Sequence, residues 1–398
     1  MLPKRFKMSI SYYQVLITPL TTNDTYGTQV DVSDFVTSKN FGKIKQSIDS
    51  GNYDIGIYTY ADLRLTVTNY DGRFNDETDS SSMFYFTRDR AKVEIRYIDE
   101  AAGSNVIYSG LINDEATVQD FEKDLVKFRI LSLDSIFNKV KVLGGLISNG
   151  NLASDAIKAL LNRPAITSVL GYDVSKISVG YDSTIDDSTS FSQKNSRTVL
   201  LQLLNASGSV FYIDSTGDMV VNNRDILAGS PLELFGGGDR FQRDNITQIK
   251  NYNNGLQRTF NTITVNEQTS TDNDFVERYG IGLKSYTFDF ITTTATDKAI
   301  ADYYVAQFKT PKPELELIVT TNVAKAVEML GPVSVSFQKR HKGFAGNKVP
   351  VAGAAIAGSD VTPYIVGGTK ITPNKTWKVV GITHDAKTFL TTLRLRQV

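Results

Sequence analysis

The 398-residue chain has no cysteine, two histidines, one tryptophan and five methionines. Without cysteine there is no disulfide staple, no thiolate-bound zinc or iron–sulfur cluster and no thiol nucleophile. An imidazole-based metal site or a Ser-His-Asp triad would have to use His341 or His384. His341 sits in the basic run Lys339-Arg340-His341-Lys342, which repels cations, and His384 stands where a strand-end polar residue is expected. Neither reads as catalytic. No run approaches the roughly 20 apolar residues of a membrane span, so no stable membrane insertion is expected. The charged residues 2–6 are not followed by the apolar core of an export signal. The expectation is a soluble protein made in a cytoplasm. Net formal charge is zero, so the total encodes no general attraction to nucleic acid or anionic lipid.

What is present points to a folded, β-rich chain. Hydrophobic content of 41% and charged content of 22% are ordinary for globular domains. Nineteen tyrosines and 21 phenylalanines favour pleated, half-buried surfaces. The length suffices for two to four domains, each with its own core. Charge is unevenly spread: from Lys298 onward there are fourteen Lys/Arg against six Asp/Glu, which gives +8 there and −8 in the remainder. That excess reads as a basic face for an acidic partner, as one end of a ring docking on the next, or, more plainly, as scattered solubilising charge.

Three segments emerge along the chain. Residues 1–136 form a first β-barrel domain: Leu63, Leu65 and Val67 alternate with polar neighbours, as do Ala91, Val93, Ile95 and Tyr97, and Asn69-Tyr70-Asp71-Gly72-Arg73-Phe74 is a turn. Residues 137–243 form an α+β domain. A helix over 152–161 stops before Pro164, and a second, with Ser196 as N-cap, runs to Asn205 and ends at Gly208. A hairpin then turns at Ser215-Thr216-Gly217-Asp218. Residues 244–398 form a second β-barrel domain with a helical insert at about 270–325 and a Gly/Pro-rich loop at 343–373. In that insert Thr296 is expected to cap a helix over 297–309, with Asp297 at its positive end. Strands are expected at Leu315–Val319 and Val333–Phe337.

The first and third segments repeat one another. Gly110-Leu111-Ile112-Asn113-Asp114 is echoed by Gly381-Ile382-Thr383-His384-Asp385, and Val126–Ile130 by Leu393–Arg396. In the same order, residues 63–67 pair with 261–265 and residues 93–97 with 333–337. The overall fold class is therefore mainly β with α+β inserts, carrying two related small β-barrels.

No motif carries obvious chemistry. The acidic groups Asp182/Asp186/Asp187, Asp214/Asp218 and Asp272/Asp274 lack the glycine and glutamate of a calcium loop and read as turn residues. Gly236-Gly237-Gly238 lacks the Lys-Ser/Thr of a phosphate loop and reads as a hinge. Trp377 reads as a core anchor. No catalytic, cofactor-binding or metal-binding residue is assigned, and no enzymatic activity is expected.

Several stretches resemble phage tail and baseplate hub proteins, similar to the hub of T-even contractile tails and its siphophage tail-tip relatives. They are Leu65-Thr66-Val67-Thr68-Asn69-Tyr70-Asp71-Gly72-Arg73-Phe74, the helix-hairpin from Arg197 through Met219, and the ending from Trp377 to Leu395. The resemblance implies two barrels per subunit and a homotrimer whose six barrels adapt a sixfold tail tube to a threefold spike or tip. It also implies a virion location at the tail tip or baseplate after assembly in the host cytoplasm. The implied partners are a tail-tube or distal tail ring protein above and spike, tip or fibre proteins below, with DNA only as passing cargo in the channel. A channel wall should avoid positive charge, which directs the basic excess outward or towards a neighbour. Some siphophage relatives carry an iron–sulfur cluster on a cysteine-bearing extension; neither that cluster nor an attached lysozyme domain is expected here. The alternatives are a hexameric distal tail ring protein and a β-rich glycan-binding or glycan-cleaving tail-tip protein.

Overall fold

The computed structural model describes residues 11–21, 25–36, 43–48, 55–76, 78–85, 87–100, 103–224, 227, 230–236, 245–338, 370–371 and 376–398. The first strands are β1 (Ser11–Thr18), β2 (Val30–Asp31), β3 (Lys43–Ile48), β4 (Gly56–Tyr60), β5 (Leu63–Thr68), β6 (Lys92–Asp99), β7 (Gly103–Asp120) and β8 (Leu125–Ser132). Six of them form an antiparallel sheet in the order β2-β1-β6-β7-β8-β5. An antiparallel bridge between Val36 and Val67 carries the chain after β2 back to β5, so the sheet curls into a barrel. The period-two alternation read from the sequence sends Leu63, Leu65, Val67, Val93, Ile95 and Tyr97 inward. Phe128 meets Phe74 and Phe84 edge-on at 6.1 and 5.8 Å, a geometry worth about 0.5–1.5 kcal/mol per pair beyond area burial.

The chain then becomes helical: α1 (Ile136–Lys139), α2 (Ala153–Leu161), α3 (Pro164–Thr167) and α4 (Ser196–Ser207), followed by the hairpin β9 (Ser209–Ile213) and β10 (Met219–Asn223). Helix α2 stops where Pro164 demands it. Helix α4 ends at Gly208 in the left-handed conformation, φ 61°. Its N-cap differs from expectation. Asn195, not Ser196, holds the extended backbone, and its side-chain oxygen accepts from Thr198 N at 2.8 Å. Ser196 is already the first helical residue, with its hydroxyl buried.

Next come β11 (Leu232–Gly236), β12 (Ile246–Asn253) and a small three-stranded sheet of β13 (Thr262–Val265), β14 (Gln268–Thr271) and β15 (Leu283–Tyr286), with α5 (Asn273–Tyr279) inside it. Helix α6 (Thr294–Phe308) begins earlier than expected, with Thr293 as its N-cap. Asp297 therefore lies a full turn inside, buried against Asn266, whose amide donates to it at 2.8 Å. Desolvation raises that carboxyl above its usual range. The last elements are β16 (Glu314–Thr320), α7 (Thr321–Ala324), β17 (Pro332–Gln338), β18 (Lys370–Ile371), β19 (Thr376–Asp385) and β20 (Leu390–Gln397).

Strands β11-β17-β19-β20-β16-β12 make a second curled sheet. It closes where Asn245 N donates to Phe235 O at 2.9 Å and Phe235 N to the Asn245 side chain at 2.7 Å. The antiparallel order β6-β7-β8-β5 of the first barrel recurs as β17-β19-β20-β16 in the second. Three of the four matches read from the sequence thus occupy equivalent positions. The fourth is corrected: residues 261–265 contribute β13 to the small sheet, and the counterpart of β5 is β16. An alternating apolar strand has no mark of its partner, so the wrong one of two was paired.

Strand pairing and packing run across the expected segments. Strand β3 pairs with β19, β4 pairs with β3 and with β9, and β9 with β10, so residues 43–60 tie the second barrel to the middle hairpin. One hydrophobic core holds residues 133–213 together with 260–308, including Ile263, Phe290 and Tyr304. The glycine-rich loop 343–373, apart from the backbone of β18, and His341 lie outside the described residues, as do Gly237 and Gly238 of the expected hinge; Gly236 ends β11.

Candidate functional site

The most constructed region is the junction where both barrels and the middle hairpin meet. The β19–β20 turn of the second barrel is driven into the first: Ala386 belongs to the first barrel's hydrophobic core. Phe389 stacks on Tyr13 at 5.2 Å and meets Tyr97 edge-on at 6.4 Å. Beside it, Lys325 Nζ approaches Asp99 at 3.8 Å, with side chains 12% and 2% exposed. Glu328 accepts from Ser215 Oγ at 2.6 Å, which fastens the second barrel to the β9–β10 turn. That turn is itself clamped by Lys176, whose ammonium reaches Asp214 at 2.7 Å and Asp218 at 2.6 Å.

A second fastening centres on Asp134, which is 1% exposed. It accepts from Thr59 Oγ1 of β4 at 2.8 Å and from the Ser132 hydroxyl, and it pairs with Arg197 of α4. Three elements from different parts of the chain converge on one carboxylate. The junction encloses a cavity of about 100 Å³ bordered by Gln46, Tyr60, Lys325, Glu328 and His384 among others. Around it, Glu328 is bonded to Ser215 and His384 to Thr391.

His384 lies here, 6% exposed. Its Nδ1 is 2.8 Å from Thr391 Oγ1, which in turn is 3.1 Å from Thr321 Oγ1. Burial pushes the imidazole down to about 4, which keeps it neutral at physiological pH. A histidine, a hydroxyl and a second hydroxyl, all buried, make one hydrogen-bonded network between β19, β20 and α7.

Four of the acidic turn residues, Asp182, Asp186, Asp187 and Asp272, are occupied. Asp182 accepts from the backbone and hydroxyl of Ser154 at 2.8 and 2.7 Å. Asp186 accepts from Thr292 N and Thr293 N at 2.8 and 2.9 Å; its desolvation is outweighed by these bonds, so its carboxyl titrates below the usual range. Asp187 caps a short turn through Thr189 N at 3.0 Å. Asp272 caps α5 through Phe275 N and pairs with Lys309 at 2.7 Å. Asp274 is exposed in the first turn of α5, at the positive end of its dipole. Among the described residues no three His, Asp or Glu converge as a metal site.

The basic excess after Lys298 is only partly on the surface. Lys378 is fully buried and donates to Arg224 O; Arg396 is 3% exposed and pairs with Glu314. Glu314 also meets Arg258 at 3.1 Å and Arg394 at 4.0 Å. The expectation that the excess faces outward fails for these two, because Arg224, Glu314 and, through Glu314, Arg258 close over that end of the sheet. The alternation Leu393-Arg394-Leu395-Arg396 gave no warning that the last outward position is covered. Trp377 is 1% exposed in the second barrel's core.

Two features remain open to solvent. A cleft of about 540 Å³ lies between the first barrel and the helices, lined by Tyr26, Arg90, Lys139 and Ser168 among others, with Lys139 paired to Asp89 at 3.0 Å. Burial of the Tyr26 phenol pushes it up to about 12, so it enters as a neutral hydrogen-bonding group. At the far end of the first barrel, the β7–β8 hairpin projects Phe121, Val118 and the nearby Tyr70, which are 79%, 55% and 71% exposed.

No family model matches the chain, and no curated protein matches it by sequence. Its fold does have solved counterparts. It superposes on the tail protein from Neisseria meningitidis MC58 with a TM-score of 0.54 at 10% identity, over 97% of this chain and 96% of that one. The prophage MuSo2 43 kDa tail protein from Shewanella oneidensis gives 0.50 at 10% identity, over 97% and 96%. A chain of the lidded Francisella PdpA-VgrG complex gives 0.50 at 11% identity; 98% of this chain covers 53% of that one. At such identities the likeness is one of fold: a mainly β, multidomain arrangement found in phage tail proteins.

Proposed function

We propose that the protein is a non-catalytic structural component of a phage tail, a homotrimeric hub at the tail tip or baseplate that encloses the channel. One observation carries the reading: two barrels with the same strand order, locked at a fixed angle within one subunit. Three such subunits present six barrels, the number needed to seat a sixfold tail-tube or distal ring above while keeping threefold symmetry for a spike, tip or fibre protein below. The reading leaves DNA as passing cargo. It is supported by the tail proteins that share the fold, and by a neighbour solved as a complex named for VgrG. The junction's role is then mechanical. Its buried ion pairs and the Ala386–Phe389 turn hold the two barrels at the spacing a sixfold ring requires.

Light scattering coupled to size exclusion tests the reading. A trimer of about 132 kDa, three times the 44.0 kDa subunit, with threefold rings in negative stain, is the expected result. A hexamer would transfer the protein to the distal ring class, and a stable monomer at concentrated, virion-like conditions would overturn the hub.

A further inference from the structure

Large apolar side chains left at the surface gather in two places. Among the described residues sixteen are exposed, and seven of them form two groups. One is the tip of the first barrel, with Tyr70, Val118 and Phe121. The other is the corner where the turn Leu256–Arg258 meets the chain between α5 and β15, with Leu256, Tyr279, Ile281 and Leu283. Ile281 and Leu283 are 76% and 59% exposed, too open to serve the subunit's own core.

Each group is a built surface. At the tip, Asn69 N donates to Asp124 O at 2.7 Å and Gln119 Nε2 to Asn75 Oδ1 at 3.1 Å, so loop and hairpin are one unit. A bulge between Asn113 and Val118 re-aims the hairpin where it leaves the barrel. At the corner, Asn261 N and Thr262 N both donate to Gly282 O at 3.1 Å, and Asn261 Nδ2 donates to Gly280 O at 2.7 Å. A Cβ on Gly282 would lie 2.4 Å from Thr259 O, so the chain leaving the 256–258 turn is pressed against residues 280–283. Leu283 opens β15, an edge strand bonded to β13 alone in its sheet. An exposed edge with apolar side chains is a surface that natural proteins cover.

The two surfaces differ in charge. The described residues of 69–79 and 114–124 hold eight Asp/Glu against Arg73 and Lys123. Residues 256–258 and 277–284 hold Arg258, Arg278 and Lys284 against Glu277 alone. Arg258 is paired with the buried Glu314 at 3.1 Å. Arg278 and Lys284 lie over the Phe275 and Tyr286 rings and flank Ile281 along the chain. An acidic rim repels a copy of itself, which disfavours a twofold contact through the tip, and it complements a basic one. Tip and corner belong to different parts of the subunit, so a contact between them is heterologous and closes into a ring.

We infer that subunits associate head to tail, the acidic aromatic tip of one copy seated on the 256–258 and 277–284 corner of the next. This rests on the trimeric reading and names its contact. The charges steer and set register, and Phe121, Val118 and Tyr70 cover Ile281, Leu283 and Leu256.

Charge reversal tests it. Glu115→Lys with Glu122→Lys forms one variant, Arg278→Glu with Lys284→Glu a second, and all four changes in one chain a third. Mass photometry should show each two-site variant raising the apparent dissociation constant of the trimer at least about tenfold, with the four-site chain restored to near the parent value. Phe121→Ala and Ile281→Ala, both at open positions, should each weaken the trimer without changing the circular dichroism melt of the diluted subunit. A trimer indifferent to either reversal, or to both alanine variants, overturns the pairing and leaves the hub standing, as does a four-site chain that fails to recover. A parent chain that never trimerises overturns the hub and this contact with it.

Discussion

Replacing Asp134 with alanine probes whether the junction is a rigid fastening. The carboxylate is 2% exposed at its side chain and the paired Arg197 18%. Removal deletes the Arg197 ion pair and the bonds from Thr59 and Ser132 together. Breaking a buried pair by deleting one partner costs about 3–5 kcal/mol, because the remaining charge stays desolvated. At roughly 2.1 cal/mol/K per residue, a 398-residue chain unfolding as one unit has an unfolding entropy of about 0.8 kcal/mol/K. The melting temperature should therefore fall by about 4–6 °C. Differential scanning calorimetry of the parent, Asp134→Ala, Arg197→Ala and the double variant isolates the coupling between the two side chains. The double variant should be little worse than either single one, since it leaves no orphaned charge. A shift under 1 °C for Asp134→Ala, or additive losses in the double variant, would refute the view that this ion pair ties β4, the end of β8 and α4 together.

A Cβ at Gly110 would sit 2.5 Å from Leu131 O, whereas at Gly381 the nearest neighbour is Arg394 Cβ at 3.4 Å; Gly110→Ala should lose about 1–3 kcal/mol in urea titration and Gly381→Ala should lose clearly less, despite their matched sequence positions. His384 is depressed in the folded state, so its contribution is present above about pH 6.5 and is lost as pH falls through about 4. Over that interval stability should drop by about 3 kcal/mol, and His384→Asn, the residue at the matched position 113, should flatten the slope; an unchanged pH profile in that variant contradicts the assignment. Asn195→Ala should lose about 1 kcal/mol as a broken helix cap, while Ser196→Ala, which removes a buried hydroxyl with no hydrogen-bond partner among the described residues, should be neutral or stabilising in the same thermal melts.

Local signals were legible where a residue's neighbours in sequence decide its fate. The alternation of β5, β6, β16 and β17, the stop of α2 at Pro164 and the glycine end of α4 needed nothing distant. Partner choice was not legible: Thr262–Val265 and Glu314–Thr320 alternate equally well, and only the fold shows that β16 lies beside β20. Strands β3 and β4 went unread because their importance lies in pairing with β19 and β9, more than a hundred residues away. The candidate site shows the same division. That Asp182, Asp187 and Asp272 serve turns and caps follows from local chemistry, yet Asp134 meeting Arg197, or Lys378 being sealed by Arg224, depends on elements that approach only in the folded chain.

The two barrels share a sheet order and differ where they meet the rest of the molecule. Strand β1 lies antiparallel to β6, whereas β11 lies parallel to β17, so the copies diverge at the strand that joins each to the chain before it. The matched turns have opposite fates: residues 386–389 are committed to the neighbouring barrel within the subunit, and residues 121–124 are exposed. The shared four-stranded arrangement, β6-β7-β8-β5 in one barrel and β17-β19-β20-β16 in the other, is thus what the two copies keep, and the strands and turns that diverge are those through which each meets the rest of the subunit.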